Sequence, residues 1–191
     1  PAPLVTWNNT GSAWATASCW TNGVAPANDW GLDTALFTGN YGNSNNSVTI
    51  PSGQKVSTIL FNSTANAYTF DGGDITVGNG ITNNSLNVQT FNSKVYGNSN
   101  RTWTTVAGGS MVFNGGVDIT SAGSTASRTL TLGGGGNFTV SGPIGNGGTG
   151  TNGAVTIAST GLTLFSGANT YNGPTTVNAN STLKLGNALA L

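Results

Sequence analysis

Apolar residues along this chain alternate with polar ones in short bursts, and they almost never recur at helical spacing. Val48-Thr49-Ile50, Tyr68-Thr69-Phe70, Ile75-Thr76-Val77 and Leu86-Asn87-Val88 have this form. So do Val117-Asp118-Ile119, Leu130-Thr131-Leu132, Phe138-Thr139-Val140, Val155-Thr156-Ile157, Leu162-Thr163-Leu164 and Leu183-Lys184-Leu185, while Met111-Val112-Phe113 runs apolar. Ser57 to Phe61 adds a nearly continuous run. A period of two puts one set of side chains on one face of a strand, so each burst predicts a short strand. β-branched Thr and Val fill the bursts while Gly interrupts the rest, which leaves no stretch for a stable helix. The predicted class is all-β.

Turn formers separate the bursts. Asp71-Gly72-Gly73-Asp74, Asn79-Gly80, Asn114-Gly115-Gly116, Gly133 to Gly136, Asn146-Gly147-Gly148 and Asn172-Gly173 all permit positive φ. Asn-Gly is the pair of type I′ hairpins and favours antiparallel strands. A solenoid needs equally sharp corners, so the pattern leaves two architectures: a parallel β-solenoid or an antiparallel β-sandwich. Internal echoes point to repetition. Phe70-Asp71-Gly72-Gly73-Asp74-Ile75-Thr76 resembles Phe113-Asn114-Gly115-Gly116-Val117-Asp118-Ile119-Thr120 with one residue inserted. Leu130-Thr131-Leu132 followed by Asn137 to Gly142 resembles Leu162 to Gly167. Uneven spacing fits stacked coils with loops of different length.

The start of the chain has another texture. Trp7, Trp14, Trp20 and Trp30 crowd into it, with the turn-rich Gly23 to Asp29 between them. A solenoid must hide the open end of its core and an unpaired strand edge, and clustered Trp rings would make such a cap. The other use for them is an aromatic platform for sugars or a neighbouring subunit.

Composition narrows the chemistry. The chain has no His, no Glu and one Cys, and Gly, Asn, Ser and Thr fill 104 of its 191 positions. Acid-base, nucleophilic and metal chemistry need His, Cys or clustered carboxylates, so we expect no enzyme, no metal and no cofactor. Asp71 and Asp74 flank a Gly turn in the manner of a calcium loop, but two carboxylates make a solvated turn the simpler reading. Asp29 and Asp33, the only pair resembling glycosidase acids, read as turn stabilisers. Five basic residues balance five Asp. Lys55, Lys94, Arg101, Arg128 and Lys184 are scattered and read as solubilising or edge-protecting, which argues against nucleic acid as a partner. No apolar run reaches the ~18 residues of a membrane span. Pro1-Ala2-Pro3 reads as a mature end after removal of a signal peptide. Asn8-Asn9-Thr10 and Asn62-Ser63-Thr64 match glycosylation sequons, as chance allows in so Asn/Thr-rich a chain. Cys19, alone, permits no internal disulfide; it reads as a small buried thiol beside Trp20, with an interchain bridge as the alternative.

Leu162-Thr163-Leu164-Phe165-Ser166-Gly167-Ala168-Asn169-Thr170-Tyr171-Asn172-Gly173-Pro174-Thr175-Thr176-Val177-Asn178-Ala179, completed by Thr182-Leu183-Lys184-Leu185-Gly186-Asn187-Ala188-Leu189, closely resembles the autotransporter-associated β-strand repeat. Thr6-Trp7, Trp14 through Trp20, Val24-Ala25-Pro26 and Asp33-Thr34-Ala35-Leu36-Phe37 resemble the opening of large secreted proteins that carry this repeat. Ile81 to Ser85 and Asn100 to Trp103 add scattered likeness. One full copy is present, and Cys19 stands where the family usually has a small residue. The resemblance implies a right-handed parallel β-solenoid in a secreted bacterial passenger or surface protein of adhesive or structural use. The chain reads as a stand-alone relative or a processed piece of a longer protein.

These readings combine into one expectation. Residues 1–40 form a Trp-rich cap, 41–160 the solenoid coils and 161–191 the C-terminal repeat. A neutral solenoid with strand edges at both ends invites head-to-tail stacking into an extracellular fibre or surface layer, with itself as partner. Trp7, Trp14, Trp20 and Trp30 at one end would meet Tyr171, Leu183, Leu185, Leu189 and Leu191 at the other. Ala188 to Leu191 is an apolar tail that reads as docking on something. The alternative is a monomeric adhesin or glycan-binding module on the cell surface.

Overall fold

The computed structural model describes residues 3–39, 46–121, 123–147 and 152–191. Pro1 and Ala2 of the expected mature end, and Gly148 of one expected turn, lie outside the described residues. The chain is a parallel β-solenoid of about six stacked turns; the antiparallel sandwich is not what forms.

The strands run in chain order. They are β1 (Leu4–Thr6), β2 (Thr34–Phe37), β3 (Ser47–Ile50), β4 (Gln54–Phe61), β5 (Thr69–Gly72) and β6 (Ile75–Asn83). Then come β7 (Val88–Phe91), β8 (Val95–Gly97), β9 (Arg101–Thr105), β10 (Ser110–Phe113), β11 (Val117–Asp118) and β12 (Arg128–Gly134). The last are β13 (Asn137–Val140), β14 (Ile144–Gly145), β15 (Gly153–Ser159), β16 (Leu162–Phe165), β17 (Thr175–Val177) and β18 (Thr182–Leu185). Pairing sorts them into three faces. The first face is β3-β5-β7-β10-β13-β16-β18. The second stacks the beginnings of β4 and β6 with β8, β11 and β14. The third is β1-β2-β4-β6-β9-β12-β15-β17, joined through the second halves of β4 and β6.

Parallel in-register pairing puts like positions one strand spacing apart, ~4.8 Å. The first face shows what that does to side chains. Val48, Phe70, Phe91, Phe113, Val140, Phe165 and Leu185 occupy one inward column, each paired with the next. Phe70 and Phe91 stack at 4.6 Å between centroids, and Phe91 and Phe113 at 5.1 Å, both pairs tilted by 11°. The echo between Phe70 and Phe113 therefore marks two coils of one column. The other echo is half right. Val140 pairs with Phe165, but Leu130 lies on the third face and Leu162 on the first.

Along the Phe column one turn takes 22, 21, 22, 27, 25 and 20 residues in succession. The longer turns hold the β11–β12 and β14–β15 connections. Corners are sharp. At Gly116, between β10 and β11, φ is 86°, a region an L side chain enters only with strain. Asn79-Gly80 departs from its turn assignment: it lies inside β6, where the strand bends from the second face to the third. Side chains also bond along the axis. Asn114 Nδ2 donates to Asn92 Oδ1 (2.9 Å), and Asn92 Nδ2 to Asp71 Oδ1 (2.7 Å). On the third face Thr102, Thr131, Thr156 and Thr176 form an outward row in register.

Candidate self-association site at the C-terminal coil

The two ends of the solenoid are built differently. At the N-terminal end, three Trp side chains close the core. Trp7 and Trp14 each meet Trp20 edge-on at 5.0 Å, and all three rest on Phe37, whose ring continues to Phe61 and Phe70. Trp20 Nε1 donates to the Trp14 carbonyl (2.6 Å). Short 3-10 turns, Ala17–Cys19 and Thr21–Gly23, carry the chain across this end. Ser12 to Trp14 covers the edge of β3: the Thr49 N–H donates to Ser12 and the Trp14 N–H to Thr49. Asn28 Oδ1 accepts the Lys55 N–H (2.7 Å) at the first strand of the second face.

This geometry corrects the expected interface. Trp7, Trp14 and Trp20 are buried and offer a partner no surface. Their rings are large enough to fill the mouth of the core, and once filled the mouth leaves them inside. Trp30 does not join them: it stays exposed on the second face. Cys19 is buried under the same cap, so an interchain bridge has no thiol to reach.

At the C-terminal end no described residue pairs with the outer edge of the last coil. β17 and β18 are the terminal strands of their sheets, each paired on one side only. Their inward positions continue the core columns. Val177 pairs with Ile157, and Leu185 with Phe165. In the coil below, those partners are fully buried; here Val177 and Leu185 are 45% and 44% exposed. Leu183 is partly buried against the core. Leu189 and Leu191 are exposed, but the tail between them is tied down. Ala190 is buried, and Asn169 holds it with its N–H on the Leu189 carbonyl (2.9 Å) and Nδ2 on the Ala190 carbonyl (2.6 Å). The tail thus docks on its own chain. Tyr171 is half-buried and bonds Thr175 Oγ1 (2.5 Å); burial raises its hydroxyl above the ordinary pKa, against the pull of that bond. The structure therefore gathers Leu183, Leu185, Leu189 and Leu191 at one end, with Val177, which the alternation reading passed over. The period-two pattern held the signal: Thr175-Thr176-Val177 has the strand spacing, but Val is its sole apolar residue.

The remaining candidates fall into structural places. Asp29 Oδ1 accepts the Gly31 N–H and Asp33 Oδ2 the Ala27 N–H, both at 2.6 Å, within the N-terminal turns. Asp71 bonds Asn92, and Asp74 bonds Ser52 and Gly53. Among the described residues no group of three or more metal-ligating side chains forms. Lys94, read as one of the scattered solubilising cations, is instead paired with Asp118 at 2.7 Å. Burial disfavours its ammonium, but the Asp118 hydrogen bond and the neighbouring Asp118, Tyr96 and Asp74 outweigh that and raise its pKa above the ordinary 10.5. Among the described residues no helix is long and apolar enough to cross a membrane. Comparison with known proteins finds no matching family model, no matching curated protein and no matching solved structure.

Proposed function

We propose that this chain is a secreted bacterial structural protein, of the autotransporter-associated repeat kind, that assembles head-to-tail into an extracellular fibre or surface layer. The observation that carries the reading is the uncovered last coil. Val177 and Leu185 sit at core positions with no core above them, beside two unpaired strand edges. Burying such side chains is worth about 1.5–3 kcal/mol each, and an unpaired edge seeks a strand. The opposite end supplies one. β1 and β17 are the two terminal strands of the same sheet and are three residues long each, so β17 of one copy on β1 of the next continues that sheet in parallel. Val5 on β1, partly buried against the core, stands in the same inward column as Val177 and gives the junction an apolar contact. Such a contact joins different surfaces and does not close on itself, which yields a fibre rather than a ring.

Negative-stain electron microscopy with light scattering on the purified chain tests this. Filaments are expected without added ligand, and Val177→Lys and Leu185→Lys should abolish them while far-UV circular dichroism stays unchanged. A monodisperse species of 19.1 kDa at all concentrations refutes the proposal.

A further inference from the structure

The second face carries a groove on the side of the solenoid, starting at its first strand next to the N-terminal end. It follows an outward row with one residue per coil, in which Lys55, Thr76 and Tyr96 pair in succession. Trp30 lies against this row because Gly78 has no side chain; a Cβ there would run into the Trp30 carbonyl. The Asn28–Lys55 bond pins the same segment from the other side. The result is a groove of about 310 Å³ lined by Trp30, Lys55, Asp74, Thr76, Tyr96 and Ser121.

Its chemistry is mixed in a particular way. Two aromatic rings stand at its walls. Lys55 Nζ sits over the Trp30 ring, 4.9 Å from its centre, and Lys94 Nζ over that of Tyr96 at 5.4 Å, so a sugar stacked on the covered face of Trp30 displaces Lys55 toward the sugar's hydroxyls. Lys94 is neutralised by Asp118, so the groove's own charges are Lys55 and Asp74, one of each sign. Asp74 Oδ1 accepts from Ser52 Oγ at 3.4 Å and from the Gly53 N–H at 3.3 Å. Both are long, and a carboxylate oxygen has capacity for a closer donor. From Lys55 to Tyr96 is two strand steps, ~10 Å, long enough for a chain molecule rather than a single small ring.

A ligand that suits these walls has flat apolar faces for the rings, hydroxyls for the carboxylate, ammonium, Thr76 and Ser121, and no net charge. We propose that this groove binds a neutral oligosaccharide, with Trp30 and Tyr96 as the stacking surfaces and Asp74 and Lys55 as hydroxyl partners. The reading is independent of end-to-end assembly, because none of these residues belongs to β1, β17 or β18, the strands of the proposed junction.

Isothermal titration of the full chain with cellohexaose, chitohexaose, xylohexaose and mannohexaose tests it, with a polygalacturonate oligomer as the charged comparison. Saturable heat with at least one neutral hexasaccharide is expected. Trp30→Ala should weaken that binding by about tenfold, the loss of one stacked ring. Asp74→Ala should weaken it severalfold, and both variants should keep the wild-type melting temperature. Trp30 is the exposed member of the five Trp, so the bound sugar should also protect emission from acrylamide quenching in wild type and not in Trp30→Ala. Three results overturn the proposal: no binding of any neutral probe at millimolar concentration, binding unchanged in both variants, or preference for the polyuronate. If Trp30→Ala melts early, Tyr96→Ala, on the far wall, replaces it under the same criteria.

Discussion

Replacing Phe91 by Ala separates stacking from mere burial. Phe91 is fully buried, and its ring lies between Phe70 at 4.6 Å and Phe113 at 5.1 Å. Large-to-small changes at buried Phe cost about 3–5 kcal/mol through lost transfer energy and the cavity left behind. Here both neighbours stand on rigid strands of adjacent coils, so the gap cannot close by collapse, and each loses a ring contact worth about 0.5–1.5 kcal/mol. The expected cost is therefore at the top of the range, about 5 kcal/mol. Leu185→Ala is the control. It removes a residue of the same column, but one 44% exposed with solvent above it. No cavity forms there, and the expected cost is about 1 kcal/mol. Urea unfolding at protein concentrations below any assembly reads the difference. With a slope of about 2 kcal/mol/M, Phe91→Ala shifts the midpoint by about 2.5 M and Leu185→Ala by about 0.5 M. Phe91→Leu should recover most of the loss, because it refills the volume. Equal shifts for Phe91→Ala and Leu185→Ala would falsify the view that the stacked column holds the coils together.

Other consequences follow from single buried groups. Thr163 faces inward, fully buried, and its hydroxyl has no hydrogen-bond partner, so Thr163→Val should raise stability by about 1 kcal/mol in the same urea assay. Asn83 is buried and donates to the Asn87 and Ser110 carbonyls (both 3.1 Å) while accepting from Ser85 (N–H 3.0 Å, Oγ 2.9 Å). Asn83→Ala strands those groups and should cost about 1–3 kcal/mol; a neutral outcome means water takes over the corner. The folded-state pKa values of Lys94 and Tyr171 are both raised, so their contribution is complete below the unfolded values of 10.5 and 10.0 and is lost as pH rises through the folded ones. The urea midpoint should therefore fall on the alkaline side, and an identical alkaline fall in Lys94→Met would count against the pair with Asp118. Cys19 should react with a thiol reagent only at the rate of unfolding; fast labelling of the native chain refutes its burial under the cap.

The parts of this fold that were legible in the sequence are those decided by local rules. Period-two bursts such as Phe138-Thr139-Val140 become strands because alternation alone puts both apolar side chains inward. Parallel pairing was not legible from the turns, since Gly116 serves a solenoid corner and a hairpin equally well; the decision comes from columns that form only when coils stack. The same gap explains the candidate site. Clustering of Trp7, Trp14 and Trp20 was readable, but whether a Trp faces partner or core depends on Phe37 beneath it. The pair of Lys94 with Asp118, 24 positions apart, and the groove between Trp30 and Tyr96 exist only once the chain has completed several turns. No spacing rule marks them, because turn length varies between 20 and 27 residues.

Stability and assembly meet in the distribution of rings along the axis. From Trp7 to Phe113 each coil hands an aromatic contact to the next, and among the described residues the last such contact is Trp103 on Phe113 at 5.2 Å. Beyond it Val140 separates Phe113 from Phe165 in one column, and in the other Trp103 gives way to Leu132, Ile157 and Val177, aliphatic and smaller. In a one-dimensional stack each coil is held by its neighbours alone, so the final coil of the described residues, with one neighbour and no aromatic pair, is the least stable. In the proposed assembly a second copy docked there supplies the missing neighbour and stabilises by binding only the folded form. Amide exchange at Thr175 to Val177 and Thr182 to Leu185 should accordingly be fast in the monomer and slow in the assembly, while the stacked coils around Phe91 exchange alike in both. Equal protection of the last coil in the two states would place the junction elsewhere, since a strand edge that gains a partner cannot keep its exchange rate.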